Sequence, residues 1–221
     1  WWIQRMEQNC RLCDLLRIDH FIGLVAYWEI PAQEKTAING KWVEAQGEDF
    51  LRTLFQKFPG FPLIAEDLGL VTPAVRALME KFNLPGMRVL LFAFGGDSDN
   101  PYLPHNHVPG CILYTGTHDN NTARGWFEKD AAEGEKKKFF RYLGKEVLSE
   151  EVSGELIRLA MMSVADVVIL PVQDLLGLDG ESRMNTPSTQ EGNWKWKLLP
   201  GQITPGHGER LRELTEIYGR S

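Results

Sequence analysis

The stretch Phe61-Pro62-Leu63-Ile64-Ala65-Glu66 is a short apolar run that leads directly into a carboxylate. It lacks alternation of apolar and polar residues, which is typical of a strand buried on both faces of a parallel sheet. Four further runs share this character: Leu15 to Ile18, Met87 to Phe94, Cys111 to Tyr114 and Val167 to Pro171. The sequence therefore predicts five short strands of a parallel sheet.

Segments with a helical period separate these runs. Thr72-Pro73 is a clear helix start, because Thr is a good N-cap and Pro suits the first helical position. The predicted helices are Glu48 to Phe58, Pro73 to Phe82, Ala131 to Val147, Glu150 to Val164 and Gly208 to Tyr218. Strands alternating with helices indicate βα units, and hence the α/β class.

Polar side chains follow the ends of four of the five runs. They are Asp19, Glu66, the pair His118 and Asp119, and the pair Gln173 and Asp174. The carboxyl ends of parallel strands form one rim, which is the catalytic face of a (β/α)8 barrel or a crevice in an open sheet. Any single one of these residues could be a helix N-cap. Several together, without a phosphate-binding glycine loop, favour an active site.

The composition excludes several classes of protein. A net charge of -6 argues against nucleic acid as a partner, and no apolar run is long enough to span a membrane. Three cysteines give no disulfide framework, which favours the cytoplasm, or a plastid if the source is a plant. The Cys10-x-x-Cys13 pair lacks a second pair of ligands, so we interpret it as structural thiols. Neither a metal nor an organic cofactor is implied.

Several motifs carry a family resemblance. The segment Leu16-Arg17-Ile18-Asp19-His20, followed by Ala26-Tyr27-Trp28-Glu29-Ile30-Pro31, resembles the nucleophile region of the amylomaltases, the 4-α-glucanotransferases of the α-amylase clan. The R-x-D-H core is shared across that clan, whereas A-Y-W-E-I-P is typical of the glucanotransferase branch. Further family-like blocks follow in the family's order: residues 64–69, 100–106, 114–120, 183–187 and 192–194.

The resemblance implies a retaining glucan transfer with three carboxylates. Asp19 would be the nucleophile, Glu66 the general acid/base and Asp119 the transition-state stabiliser. An α-1,4-glucan or maltooligosaccharide would be the substrate, and the chemistry requires the two reacting carboxyls in different protonation states. Arg17 would favour the charged form of Asp19. The implied substrate-binding residues are Arg17, His118, Asn120, Arg183, Asn185 and Trp194.

Two alternatives stay open. An α-amylase-like hydrolase of the same clan would share the carboxylates, and a truncated, non-catalytic glucan-binding piece would also retain them. The chain opens on Trp1-Trp2 in mid-pattern, and its five strands match the family's fourth to eighth. We therefore expect residues 1–221 to be the C-terminal portion of a single (β/α)8 barrel domain, with the N-terminal βα units upstream.

The sequence departs from the family pattern at three positions. Asn121 stands where the family commonly has Asp, His107 where Tyr is usual, and Ser188 where Gly is usual. None of the three is a proposed catalytic carboxylate. Among the aromatic residues near the motifs, Tyr27 and Trp126 are expected to belong to the core.

Overall fold

A computed structural model describes residues 1–69 and 71–220 of the chain. The chain divides into two compact units, Trp1–Met87 and Arg88–Ser221. Within the described residues, no helix is both long and apolar enough to cross a membrane.

The described residues of the first unit form three α-helices and two pairs of strands. Its elements are α1 (Trp2–Cys10), β1 (Leu16–Ile18), β2 (Ala26–Glu29), β3 (Lys41–Glu44), α2 (Gly47–Lys57), β4 (Leu63–Ala65) and α3 (Pro73–Lys81). Strands β1 and β4 are parallel, with Ile18 opposite Ala65. Strands β2 and β3 form an antiparallel pair, with Trp28 opposite Trp42.

The core of the first unit lies between the parallel strands and the apolar faces of α1, α2 and α3. Leu51 and Leu54 of α2 are fully buried, as is Ala65 of β4. Helix α3 begins as expected from its sequence, because the Thr72 side chain accepts a hydrogen bond from the Val75 N–H. This packing fixes where β1 and β4 end, and therefore where the residues that follow them lie.

Up to residue 220, where the described part of the chain ends, the second unit forms a three-stranded sheet and five α-helices. Its strands are β5 (Met87–Val89), β6 (Ile112–Tyr114) and β7 (Val167–Ile169), in that order across the sheet. Its helices are α4 (Ala123–Gly125), α5 (Glu133–Leu143), α6 (Ser149–Met161), α7 (Val172–Leu175) and α8 (Pro205–Ile217). Strands β6 and β7 are parallel, with Tyr114 opposite Ile169.

An aromatic cluster forms much of the core of the second unit. Phe139 of α5 is fully buried, and its ring contacts those of Phe94, Trp126, Phe127 and Phe140. Trp126 is also buried, as expected from the sequence, and it begins a π-helical turn that ends at Asp130. The cluster joins α5 to the segment that follows α4.

The five predicted strands and five predicted helices form, but the described strands belong to two sheets, β1–β4 and β5–β6–β7, and not to one parallel sheet as predicted. Three further corrections concern single elements. The run Met87 to Phe94 is a strand only to Val89, and a 3-10 turn follows. Strand β7 is not buried on both faces, since it is an edge strand whose Val167 and Ile169 are partly exposed. Tyr27 is 45% exposed and outside the core, because it belongs to the antiparallel β2–β3 pair that the sequence analysis did not predict.

Candidate active site

Asp19 follows β1 directly, and an arginine of the same strand holds its carboxylate. Arg17 and Asp19 are two residues apart, so their side chains project to the same face of an extended segment. Arg17 Nη2 donates to Asp19 Oδ1 over 2.8 Å, and the Asp19 side chain is 71% exposed. The structure thus presents an accessible carboxylate oriented by a charge-assisted hydrogen bond.

Glu66 follows β4 at the position equivalent to Asp19 on β1. Because Ile18 pairs with Ala65 in the parallel register, Asp19 and Glu66 lie side by side at the carboxyl ends of adjacent strands. The ladder continues past the strands, since the Glu66 N–H donates to Ile18 O (3.0 Å) and the Phe21 N–H to Glu66 O (3.1 Å). A retaining glycosidase-type reaction uses two carboxyl groups about 5 Å apart, and adjacent strand ends make Asp19 and Glu66 neighbours.

The Glu66 carboxyl is oriented by the backbone on both of its oxygens. The His20 N–H donates to Oε2 over 2.6 Å, and the Leu68 N–H donates to Oε1 over 2.8 Å. His20 adopts a left-handed backbone conformation with φ 51°, which is uncommon for a residue other than glycine. The unusual backbone of the residue after Asp19 thus provides one of the hydrogen bonds to Glu66, which is typical of strain at a functional site.

In the second unit, Asp119 is the centre of a separate cluster. Asn185 Nδ2 donates to Asp119 Oδ1 over 2.6 Å, and His118 Nε2 lies 3.3 Å from Asp119 Oδ2. Arg183 Nη2 donates to the main-chain oxygen of Asp119 over 2.7 Å, and the Asn185 N–H donates to His118 O. Residues more than sixty positions apart are thereby assembled around one carboxylate.

Trp194 completes this cluster on its exposed side. Its ring lies 5.2 Å from that of His118, its main-chain N–H donates to Met184 O, and the residue is 60% exposed. Its φ of 60° is a marked outlier for a bulky aromatic residue. An exposed indole in a strained backbone beside a histidine suits contact with the apolar face of a sugar ring.

Asn120 has a different position from the other predicted substrate-binding residues. Its Oδ1 accepts hydrogen bonds from the Thr117 N–H and from Thr117 Oγ1, which closes the turn of residues 117–120. In this geometry the carbonyl end of Asn120 shapes the turn that carries His118 and Asp119. Among the described residues, no group of three or more His, Cys, Asp or Glu could hold a metal ion.

Comparison with known proteins places the chain in a family. The model of glycoside hydrolase family 77, described as 4-alpha-glucanotransferase, matches residues 1–202. The chain belongs to this family. The 4-alpha-glucanotransferase of Thermus thermophilus is 48% identical over 226 residues, covering 100% of this chain and 45% of the relative. The chloroplastic/amyloplastic 4-alpha-glucanotransferase of Solanum tuberosum is 43% identical over 224 residues, covering 100% of this chain and 38% of the relative.

Solved structures agree with this assignment. The amylomaltase from Streptococcus agalactiae in complex with acarbose is similar with a TM-score of 0.92 at 36% identity, covering 100% of this chain and 44% of that chain. The amylomaltase from Corynebacterium glutamicum, at 16% identity and a TM-score of 0.70, covers 99% of this chain and 36% of that chain and shows the fold alone. The chain therefore spans less than half the length of the family members it matches.

Asn121, where the family commonly has Asp, is matched by a nearby carboxylate, that of Asp130. Asn121 is buried, and its Nδ2 donates to Asp130 Oδ2 over 3.2 Å, while Arg183 Nη1 lies 4.0 Å from the same oxygen. An aspartate at position 121 would place a second carboxylate against Asp130, where like charges repel. The amide is therefore the neutral complement of Asp130 in this 4-alpha-glucanotransferase family member.

The departure at Ser188 predicts a stabilising substitution. Ser188 has φ 65°, in the left-handed region that costs a non-glycine residue roughly 1–2 kcal/mol. Glycine loses about 0.5–1 kcal/mol more backbone entropy on folding, so Ser188→Gly should raise the free energy of unfolding by about 0.5–1 kcal/mol. Urea unfolding measures the change. Ser188→Ala is the matched control, because alanine also has a Cβ and keeps the cost of a positive φ. An equal rise in the free energy of unfolding in Ser188→Ala would show that the backbone conformation is not the cause.

The departure at His107 predicts a pH effect on stability. His107 is buried, its Nε2 bonds to Tyr102 O over 2.9 Å, and its Nδ1 has no hydrogen-bond partner among the described residues. Because a carbonyl oxygen accepts, Nε2 carries the proton, and protonating Nδ1 would bury an unsatisfied donor. Burial lowers the pKa of His107, and the charges of Arg88 and His105 act in the same direction, against the Tyr102 carbonyl, which raises it.

The sign of the effect follows from this lowered pKa. Above an unfolded pKa of about 6.5, His107 is neutral in both states and its contribution to stability is fully present. As the pH falls from there towards the folded pKa, only the unfolded state gains the proton, so stability is lost. His107→Gln keeps a neutral donor for Tyr102 O, and its urea unfolding between pH 7.5 and 5.5 should show a smaller loss than the wild type. Equal losses in both proteins would contradict this assignment.

Proposed function

We propose that this chain is the part of a 4-α-glucanotransferase that carries the catalytic carboxylates, and that it transfers α-1,4-glucan segments to the 4-hydroxyl of an acceptor glucan or glucose. The observation that carries the proposal is the pair Asp19 and Glu66 on adjacent parallel strand ends, with Arg17 bonded to Asp19. Membership of the 4-alpha-glucanotransferase family supports it. The acarbose bound by the Streptococcus agalactiae amylomaltase supports a glucan-like ligand.

The proposed reaction is a retaining double displacement. The Asp19 carboxylate attacks the anomeric carbon while Glu66 donates its proton to the leaving glycosidic oxygen, which breaks the C–O bond and leaves a covalent glycosyl-enzyme. The acceptor 4-hydroxyl then attacks the same carbon and gives its proton to Glu66, which frees Asp19. Arg17 stabilises the ionised nucleophile before attack and after release.

The remaining residues have supporting roles in this proposal. Asp119, fixed by Asn185 and His118, stabilises the positive charge that develops at the transition state. His118 and Trp194 contact the sugar, and Arg183 supports the backbone of Asp119. The Asn120 side chain shapes the turn, with its amide group available to the substrate.

We further propose that residues 1–221 are the C-terminal portion of one (β/α)8 barrel domain. The five strands of the predicted βα pattern (β1 and β4 to β7), against the eight of a closed barrel, and a length less than half that of the relatives support this. The N-terminal βα units would then precede this chain and complete the glucan-binding groove. A cytoplasmic or, in a plant, plastid location stays a prediction.

Incubation with maltotriose tests the function. Glucose together with maltopentaose and longer glucans would establish transfer, whereas glucose and maltose alone would indicate an α-amylase-like hydrolase instead. If the 221-residue chain shows no turnover, the assay is repeated after adding the N-terminal βα units of a relative. Activity gained on addition would support the proposed division of the barrel, and no activity in either sample would contradict a catalytic role.

A further inference from the structure

Asp174 is a buried acidic residue to which the proposed reaction assigns no role. It lies in α7, shortly after β7, and is only 2% exposed. The sequence predicted a rim residue at this position, but the structure places its carboxyl below the surface. A buried carboxyl is costly unless hydrogen bonds compensate its lost hydration, so its partners indicate what it does.

The two carboxyl oxygens of Asp174 bind the two ends of one loop. Thr115 Oγ1 donates to Oδ2 over 2.6 Å, and the Ala123 N–H donates to Oδ1 over 2.7 Å. Thr115 is the first residue after β6, and Ala123 is the first residue of α4. Both are fully buried. The segment between them, residues 116–122, contains His118 and Asp119, and we call it the 116–122 loop.

Among the described residues, Asp174 supplies a buried attachment at both ends of this loop. The hydrogen bonds that Asn185 and Arg183 make to it are only partly buried. Burial raises the pKa of Asp174, while its bonds from Ala123 and Thr115 lower it. An apolar side chain of similar size would avoid that desolvation but would leave the buried Ala123 N–H and the Thr115 hydroxyl without an acceptor.

We propose that Asp174 is a positioning residue: it fixes both ends of the 116–122 loop and so sets the position of the Asp119 carboxylate, without touching the glucan. The inference rests on the proposed function only where it concerns turnover. The attachment of the loop itself is a property of the fold and can be measured without any substrate.

Three substitutions separate positioning from general stability. Asp174→Ala removes both acceptors. Asp174→Asn keeps Oδ1 for the Ala123 N–H and offers an amide donor to Thr115 Oγ1, so it should rescue the geometry. Val75→Ala, in α3 of the other unit, removes buried methyl groups and lowers stability without contacting the loop.

Hydrogen exchange of the full chain, followed by mass spectrometry, reports on the loop directly. In Asp174→Ala, peptides covering residues 115–123 should exchange about tenfold or more faster than in the wild type, which corresponds to the loss of a buried hydrogen bond. In Asp174→Asn and Val75→Ala they should stay within about threefold of the wild type. Unchanged exchange in Asp174→Ala, or an equal increase in Val75→Ala, would overturn the proposal.

Kinetics with maltotriose provide the second test. Because a misplacement of about 1 Å can cost about 100-fold, Asp174→Ala should lower kcat by about 100-fold with KM changed by less than about threefold. Asp174→Asn should recover most of that loss. An Asp174→Asn enzyme as slow as Asp174→Ala would overturn the positioning role. A wild type that is inactive in every preparation, but whose loop depends on Asp174 in the exchange experiment, would contradict the proposed function and support the attachment.

Discussion

Asp19→Asn should lower the rate of glucan transfer by about 10⁴-fold or more, the scale seen when a covalent nucleophile is removed. The amide cannot form the glycosyl-enzyme, but its oxygen can still accept the hydrogen bond from Arg17. The side chain is largely exposed, so the thermal unfolding midpoint should not change. Product formation from maltotriose, measured beside a thermal melt, checks both expectations.

Asp49→Asn is the matched control for this substitution. It also neutralises an exposed aspartate of the first unit that forms an ion pair with an arginine, here Arg52 of the same helix, α2. Because exposed ion pairs contribute little, transfer activity should stay within about twofold of the wild type. Asp19→Asn retaining more than a tenth of wild-type activity would exclude Asp19 as the nucleophile.

A donor with a good leaving group separates the roles of the two carboxyls. An α-glucosyl fluoride needs no proton on its leaving group, so Glu66→Gln should regain the first chemical step with this donor. Asp19→Asn should not, because its defect lies in the attack on the anomeric carbon. The opposite pattern would require the two roles to be exchanged.

The elements with a local signal were predictable from the sequence. The Thr72-Pro73 start of α3 and the unalternated run before Glu66 depend on neighbouring residues alone, and both elements form within two residues of the predicted bounds. The β2–β3 pair was missed because its strands are mostly exposed and are separated by residues 30–40, too long a connection for the two-residue turn that Asn39-Gly40 would indicate. Its residues therefore show neither the buried run nor the clean alternation that identifies a strand.

The candidate site was predictable in its residue types more than in its contacts. The parallel sheet and its strand ends were sufficient to predict that Asp19 and Glu66 are neighbours. The bond from Asn185 to Asp119 spans 66 positions, and no local spacing encodes it. Asp174 has the same pattern in the sequence as an exposed rim residue. Only the hydrogen bonds between α7 and the ends of the 116–122 loop show that Asp174 is a buried residue and not an exposed rim residue.

Phe139→Ala should lower the free energy of unfolding by about 3–5 kcal/mol, the range for truncating a fully buried phenylalanine. The Phe139 ring is in contact with four other aromatic rings. Its removal would leave a cavity that rigid rings cannot close by rotamer changes. Urea unfolding followed by near-ultraviolet circular dichroism measures the loss, since Trp126 packs on this ring. The loss should appear in the transition of the unit that contains α5.

Phe92→Ala is the control, because it makes the same truncation at a residue that is partly exposed and contacts one ring, that of Tyr102. We expect it to cost about 1 kcal/mol or less, since little apolar area is returned to water. An equal drop in the free energy of unfolding in the two variants would contradict the role of Phe139 as a main core residue of the second unit. A lower kcat in Phe139→Ala than in the wild type, with an unchanged kcat in Phe92→Ala, would indicate that the aromatic cluster supports the 116–122 loop. The link would be Trp126, which contacts Phe139 and follows α4 directly.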